Sequence, residues 1–186
     1  MKTNRRIHPA WIAAIVTFFT LVATAGFRSA PSVLIIPLQD AFGWHRDQIS
    51  LAIAINVLLY GLTAPFAAAL MERFTVRKVV MGALTTVSTG AFLTTLIHAP
   101  WQLIATWGVI VGIGTGSMAL VFAATVANRW FVKRRGLVVG GLTAAAAMGQ
   151  LIFLPGLTHL SGMYGWKSIG LTIGAAALLM VPMIYV

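Results

Sequence analysis

Residues 48–98 read QISLAIAINVLLYGLTAPFAAALMERFTVRKVVMGALTTVSTGAFLTTLIH and contain two apolar runs separated by a short charged segment. The runs, at 48–70 and 79–98, have the length of about 20 residues that a helix needs to cross a hydrocarbon core about 30 Å thick. The segment between them carries one acidic and three basic residues. The stretch therefore predicts two transmembrane helices joined by a tight, charged turn.

The same alternation of apolar runs and short polar gaps extends over the whole chain. It predicts an all-α integral membrane protein with six transmembrane helices, at about 11–32, 48–70, 79–98, 101–128, 136–159 and 166–186. We expect residues 33–47 to form an outer-side extension of the first helix followed by a turn. Ten-residue alternating segments, the signature of membrane β-strands, are absent from the sequence. No linker divides the chain, so residues 1–186 are predicted to form one domain.

The composition excludes several classes of protein. Of the 186 residues, 59% are hydrophobic and only 9% are charged, which leaves too little polar surface for a water-soluble globule. Disordered chains are excluded as well, because they are poor in apolar residues. The chain has no cysteine, so it has neither a disulfide framework nor a thiolate metal site.

The positions of the basic residues predict an orientation. Only Arg28, Arg46 and Lys167 lie toward the odd-numbered gaps between runs. The other ten lie in the N-terminus and the even-numbered gaps: Lys2, Arg5, Arg6, Arg73, Arg77, Lys78, Arg129, Lys133, Arg134 and Arg135. Short cytoplasmic loops carry such an excess of basic residues, so we predict that the N-terminus lies in the cytoplasm. We expect the membrane to be a plasma membrane, specifically a bacterial inner membrane. Although the net charge is +10, a nucleic-acid partner is not expected because the charges do not share one face.

The sequence lacks the side chains that catalysis or metal binding would need. The only acidic residues are Asp40, Asp47 and Glu72, and none lies within a predicted span. No helical spacing of histidines suggests a metal site. We therefore predict that the chain is not an enzyme and that it carries no metal and no cofactor.

Few polar side chains fall inside the predicted spans, and these are Arg28, Asn56, Ser117, Gln150 and His159. Ionisable residues within a membrane are functional candidates because burying a charge in lipid is costly. Arg28 is either a functional group or a side chain that snorkels to the outer interface. Asn56 and Gln150 are either helix–helix hydrogen-bonding groups or substrate contacts. His159 is expected at the interface.

The charged segment between helices 2 and 3 has two interpretations. Glu72 and the bases Arg73, Arg77 and Lys78 lie at helix ends that face the cytoplasm in the predicted topology. An acidic–basic pair there can hold one conformation closed and release it in another, which makes this segment a candidate gate. The bases could instead act only as topology signals and as anchors for lipid phosphates.

Several local motifs resemble those of the major facilitator superfamily. The segment ERFTVRK at 72–78 resembles the family's signature between helices 2 and 3, with Thr75 where glycine is usual and Ala68 in place of an upstream glycine. Segments that resemble monocarboxylate-porter-like members of the family are FGW at 42–44, GVIVGIG at 108–114, WFVKRR at 130–135 and YGWK at 164–167. The resemblance covers essentially the whole chain.

The resemblance implies a twelve-helix fold of two six-helix halves, with substrate bound between them near the membrane midplane. This chain would supply the N-terminal half, and the C-terminal half would be absent. Helices 1, 2, 4 and 5 would contribute to the cavity, which implies substrate-binding roles for Arg28, Asn56, Thr115, Ser117 and Gln150. Gating at the inner loops is implied for Glu72, Arg73, Arg77, Lys78, Lys133, Arg134 and Arg135.

The function implied is secondary active transport by a rocker-switch movement of the two halves, as a symporter or antiporter of a small solute. Helix 4 has Gly108 where proton-coupled drug antiporters of the family keep an arginine, so a small organic anion such as a monocarboxylate is the favoured substrate. The expected partners are that substrate, membrane lipid and the missing half. The alternatives are a six-helix protomer that pairs with itself and a self-contained membrane scaffold or sensor.

Overall fold

The computed structural model describes residues 9–118 and 135–185, which form helices joined by short turns. The six helices are α1 (Pro9–Phe42), α2 (Arg46–Arg73), α3 (Val76–Thr94), α4 (100–116), α5 (Arg135–Tyr164) and α6 (Lys167–Tyr185). This arrangement confirms the all-α prediction. The predicted extension of the first helix is also present, since α1 continues without interruption to Phe42.

Helix α4 differs from the regular span that the sequence predicted. It begins as the α-helical turn Pro100–Leu103, continues as a π-helical segment at Ile104–Val111, and returns to α-helix at Gly112–Gly116. In a π-helix each amide hydrogen bonds to the carbonyl five residues earlier, so the helix is wider and the backbone groups are displaced from α-helical positions. The apolar pattern of the sequence carries no sign of this segment.

Two glycine turns end α1 and α5 at the same end of the molecule. Gly43 and Gly165 have positive φ angles of 65° and 76°, a conformation that glycine adopts without the steric penalty of a Cβ. Each is followed by a tryptophan, and the Phe42 ring contacts both indoles, with centroid distances of 4.6 Å to Trp44 and 5.5 Å to Trp166. The two turns therefore pack together through their aromatic side chains.

Contacts between helices show that successive helices run in opposite directions. Along the α1·α5 contact, Gly149 meets Val22 and Phe153 meets Gly26, so residue numbers rise together and the two helices are parallel. Helices α2 and α4 are parallel by the same criterion. By contrast, α3 meets α6 with Ser88 beside Gly174 and Ala91 beside Gly170, an antiparallel contact.

This alternation places the turns at two ends of the bundle. The turn between α2 and α3 lies at the end where α1 and α5 begin, and it brings Arg73, Arg77 and Lys78 there. The turns after α1, α3 and α5 lie at the other end. The described basic residues are therefore segregated as the sequence pattern required, while the side of the membrane that each end faces stays a prediction.

The pairing of helices repeats between the first three and the last three. Suppose that α1 is exchanged with α4, α2 with α5 and α3 with α6. The α1·α5 contact then becomes the α2·α4 contact, and the α3·α4 contact becomes the α1·α6 contact; all four contacts are present in the structure. The α3·α6 contact is converted into itself. The contacts of the described residues thus repeat between the first three and the last three helices, although the two halves of the sequence show no convincing similarity.

The buried core and the exposed surface are both apolar. Trp107 of α4 and Phe27 of α1 are almost completely buried, as are Leu84 of α3 and Ile173 of α6. Large apolar side chains are exposed along α2, α5 and α6: Leu51, Val57, Leu58, Leu62, Phe66, Leu137, Met148, Leu151, Ile152, Leu171, Leu178 and Leu179. An apolar surface of this extent suits contact with lipid or with other helices better than contact with water.

Four helical segments are long and apolar enough to cross a membrane. They are Thr17–Phe42, Arg46–Arg73, Gly136–Tyr164 and Lys167–Ile184. Helix α3, with 19 residues, is not among them; its sequence includes two basic residues and four threonines. Helix α4 is described only as far as residue 118, so the predicted span at 101–128 lies partly outside the described residues, and the count of six crossings stays a prediction.

Candidate substrate-binding site

Arg28 is the predicted site residue with the most distinctive surroundings. Its side chain is exposed, and its guanidinium carbon lies 4.4 Å from the centre of the Tyr60 ring. Arg28 Nη1 also donates to the Tyr60 hydroxyl oxygen at 3.4 Å. Within the described residues Arg28 forms no ion pair, so its charge is met by an aromatic ring and a hydroxyl group instead of a carboxylate.

The position of this pair along the helices argues against the snorkelling interpretation. Tyr60 stands at the midpoint of α2, and α1 continues for about four turns after Arg28 before it ends at Phe42. A snorkelling side chain would be expected close to a helix end. The arginine instead meets the middle of the neighbouring helix.

Tyr60 is held in place by α4. A Cβ atom added at Gly116 would lie 2.8 Å from the Tyr60 carbonyl oxygen and 2.9 Å from its Cα, so the two backbones are in direct contact there. Ser117 follows Gly116, is partly exposed, and donates its hydroxyl to the Ile113 carbonyl at 2.9 Å. The aromatic ring under Arg28 is therefore carried by a closely packed pair of helices.

Asn56 lies inside the contact between α2 and α4. Its side chain is buried, and its amide nitrogen Nδ2 donates to the Trp107 carbonyl oxygen at 2.7 Å. This carbonyl belongs to the π-helical segment of α4. Of the two interpretations left open by the sequence, the geometry favours the helix–helix hydrogen bond.

Thr115 is likewise used within its own helix. It is buried, and its hydroxyl donates to the Val111 carbonyl at 2.9 Å. Bonds of this kind satisfy a threonine hydroxyl in an apolar setting without any partner from outside the helix. The structure shows no exposed polar surface at Thr115 that a substrate could reach in this conformation.

Gln150 is exposed on α5, next to the point where that helix meets α1. The preceding residue, Gly149, contacts the Val22 carbonyl, and Phe153 packs against Gly26. Gln150 has no hydrogen-bond partner among the described residues, so its amide is available. His159 is also exposed, nearer the end of α5. The structure thus separates the predicted set: Arg28 and Gln150 are exposed, Ser117 is partly exposed, and Asn56 and Thr115 are internal.

The predicted gating residues between α2 and α3 are exposed at the end of the bundle. Glu72 forms no ion pair with the described basic residues, and Arg73 lies 5.9 Å from the ring of its neighbour Phe74. Thr75 caps α3 by accepting the Lys78 amide at 3.4 Å. Lys133 and Arg134 lie outside the described residues, and Arg135 begins α5 with its side chain outside them.

Tyr60 is the neighbour of Arg28 that the sequence analysis did not name. Its signal was available: it is the tyrosine that interrupts the aliphatic run 48–70. The sequence predicted that α1 extends past residue 32, but it did not show that α1 and α2 pack with Arg28 opposite the middle of α2. In the part of the chain that the structure describes, there is no group of three or more His, Asp or Glu side chains that could hold a metal ion.

Known proteins similar to this chain are transporters. Residues 14–186 match the family model described as Major Facilitator Superfamily. The MFS-type transporter YcxA of Bacillus subtilis (strain 168), described as uncharacterised, is 29% identical over 170 residues, which cover 90% of this chain and 41% of that protein. Human monocarboxylate transporter 7 is 29% identical over 164 residues, covering 88% of this chain and 31% of that protein. Mouse monocarboxylate transporter 9 is 29% identical over 174 residues, 90% of this chain and 33% of that protein.

The chain therefore spans between 31% and 41% of the length of these curated relatives. The family match, in contrast, covers all but the first 13 residues. Together with four helices long and apolar enough to cross a bilayer, this match establishes an integral membrane protein. The chain belongs to the major facilitator superfamily.

Proposed function

We propose that this chain forms the N-terminal half of a secondary transporter that moves a small organic anion, such as a monocarboxylate, by alternating access. The observation that carries the proposal is Arg28, an exposed arginine in the middle of an apolar helix with no carboxylate partner in the described structure. A charge at this depth is costly unless it faces water or a partner of opposite charge. An anionic substrate supplies that partner.

The chemistry of the guanidinium suits a carboxylate. Arginine presents a planar set of N–H donors that can form two parallel hydrogen bonds to the two oxygens of a carboxylate. Such charge-assisted bonds are shorter and stronger than bonds between neutral groups. The similarity to proteins named monocarboxylate transporters supports the same class of substrate.

The other predicted residues take different roles in this proposal. Gln150 and Ser117 are exposed or partly exposed and contribute polar contacts to the substrate. Asn56 and Thr115 maintain helix α4 and its contact with α2, through which they act on the site indirectly. A second six-helix half closes the site from the opposite side, and rocking of the two halves exposes it to each side of the membrane in turn.

The charged inner end completes the proposed cycle. Glu72 is exposed beside three basic residues of this chain, and in the assembled carrier it pairs with a basic group in the conformation closed to the cytoplasm. Arg73, Arg77 and Lys78, together with Lys133, Arg134 and Arg135, contribute the positive charge of this gate. The same charges also hold this end at the cytoplasmic surface.

The anion-binding role is tested by comparing two arginines in the full-length protein. Arg46 is exposed at the start of α2 beside Asp47, where water screens it. We expect Arg28→Gln to lower the affinity for pyruvate or acetate by about 10-fold or more, because a hydrogen-bonded charge partner is lost, and Arg46→Gln to leave it unchanged. Arg28→Lys keeps the charge without the planar fork and should have an intermediate effect. The measurement is concentration-dependent uptake of each radiolabelled acid, with surface expression measured in parallel; unchanged affinity and rate in Arg28→Gln would remove the proposed role.

The predicted orientation is tested by labelling single cysteines from outside the cell. The chain has no native cysteine, so each introduced thiol is unique within it. We expect an impermeant thiol reagent to label Ala99→Cys, in the turn after α3, and not to label Thr3→Cys or Val132→Cys. Permeabilised cells provide the control, since all three should then react. The reverse pattern would show that the N-terminus is outside.

A further inference from the structure

The contact between Arg28 and Tyr60 combines two interactions with different geometric consequences. The guanidinium carbon is 4.4 Å from the centre of the ring, so the charged group lies against the ring face. The hydroxyl oxygen of the same ring accepts from Nη1 at 3.4 Å, which is long for such a bond. Contact with the ring face is therefore the main interaction, and the hydroxyl adds a weak one.

Contact with the ring face leaves the arginine's donors available. The five N–H groups of a guanidinium point outward from its edges, and a contact between the guanidinium carbon and an aromatic ring does not use them up as hydrogen bonds would. Of the donors, only those on Nη1 are directed to the hydroxyl. The remaining edge can still bind both oxygens of a carboxylate, so the ring can fix the orientation of the guanidinium without competing with an anion.

The backbone that carries the ring is held by α4. Gly116 of α4 approaches the Tyr60 backbone so closely that a Cβ there would come within 2.9 Å of its Cα. Asn56, one helical turn earlier on α2, is held by its hydrogen bond to the Trp107 carbonyl. The Tyr60 backbone is thus held within the α2·α4 contact, while Arg28 extends to the Tyr60 ring from α1.

We infer that Tyr60 is a positioning residue for anion binding: its ring holds the Arg28 guanidinium in the orientation that receives a carboxylate. This inference rests on the proposed function, because it assigns to Tyr60 a role that acts through Arg28. A pre-ordered arginine loses less side-chain freedom when the substrate binds, and this saving appears as tighter binding. Tyr60 itself need not touch the substrate.

The test separates the ring from the hydroxyl in the full-length transporter. Tyr60→Phe keeps the ring, and we expect its KM for radiolabelled pyruvate to stay within about 2-fold of the wild-type value. Tyr60→Leu removes the ring, and we expect its KM to rise about 5- to 20-fold, the range of a partly desolvated cation–π contact, with little change in maximal rate. Tyr164→Leu is the matched control, because Tyr164 is exposed at the end of α5 and should leave both quantities unchanged.

The double variant Arg28→Gln/Tyr60→Leu shows whether Tyr60 acts through the arginine. We expect it to transport pyruvate no worse than Arg28→Gln alone, since the ring then has no guanidinium to hold. An equal loss from Tyr60→Leu in both backgrounds would overturn the inference, and so would a loss confined to the maximal rate. If Arg28→Gln is impaired while Tyr60→Leu behaves as the wild type, the positioning role fails and the proposed anion site stands. An unimpaired Arg28→Gln would overturn both.

Discussion

The α2·α4 and α1·α5 contacts occupy equivalent places in the bundle and are built differently. In the α2·α4 contact, Gly108, Gly112 and Gly116 follow one another at intervals of four residues along α4. A Cβ on each would come within about 3.1 Å of the α2 backbone, at Ala52, Asn56 and Tyr60 in turn. Both helices thus present matching positions every four residues, and their backbones meet at three positions.

The α1·α5 contact has small residues on both helices and closes at fewer points. Gly149 of α5 meets the Val22 carbonyl of α1, and Gly26 of α1 receives the Phe153 ring of α5. Toward the start of both helices the contact opens into an apolar groove of about 260 Å³. Its lining residues are Ile15, Phe18, Phe19, Leu137, Val138, Gly141 and Leu142.

The difference explains why an internal repeat in structure has no clear counterpart in sequence. Two parallel helices need only small residues somewhere along their shared face, and it does not matter which helix supplies them. One pair places its glycines on α4 alone, and the other divides them between α1 and α5. The closely packed pair supports Tyr60, while the more open pair carries Arg28 and Gln150, the two predicted site residues whose side chains are exposed.

The largest effect is expected from filling the α2·α4 contact. Gly112→Leu places a side chain against the backbone of α2, where a Cβ already lies 3.1 Å from the Asn56 Cα. We expect the full-length protein to lose about 3 kcal/mol of stability, the upper range for overpacking, or to fail to accumulate. Thermal unfolding in detergent is the measurement. Gly140→Leu is the control, because a Cβ at Gly140 meets nothing within 4 Å; equal losses in the two variants would contradict the assigned contact.

An intermediate effect is expected from the polar side chains of the two contacts. Asn56→Ala removes a buried hydrogen bond between helices and should lower stability by about 1 kcal/mol, as such bonds do in membrane proteins. Gln150→Ala removes an exposed amide without a partner in the described structure, so stability should stay the same while the KM for the anion rises. Thermal unfolding and uptake are measured on both variants. A destabilised Gln150→Ala with normal uptake would mean that Gln150 is a packing residue.

The smallest effect is expected in the groove of the α1·α5 contact. Gly141 lines this groove, and a Cβ there meets nothing within 4 Å. Gly141→Ala should raise stability by less than about 1 kcal/mol, because alanine is the better helix former. Gly149→Ala, at the closed part of the same contact, should lower it. Thermal unfolding of the two variants side by side would show whether the contact is open and closed where the structure places it.

The sequence by itself determined the helical class, the approximate positions of α2, α5 and α6, and the segregation of the described basic residues. Hydrophobic length and the alternation of basic gaps are local properties, so α2, α5 and α6 were predicted to within a few residues. It also predicted Arg28 as a candidate site residue, because an arginine in an apolar run stands out without any knowledge of its neighbours.

Only the tertiary structure decided what each polar side chain does. Asn56 and Gln150 were equivalent in the sequence, yet one is buried against the Trp107 carbonyl and the other is exposed. That outcome depends on which face of each helix meets its neighbour, and this is fixed by glycines on other helices far along the chain. The contact between Arg28 and Tyr60 has the same origin: it joins residues 32 positions apart, and it exists because the lengths of α1 and α2 and the turn between them bring those two side chains to the same level.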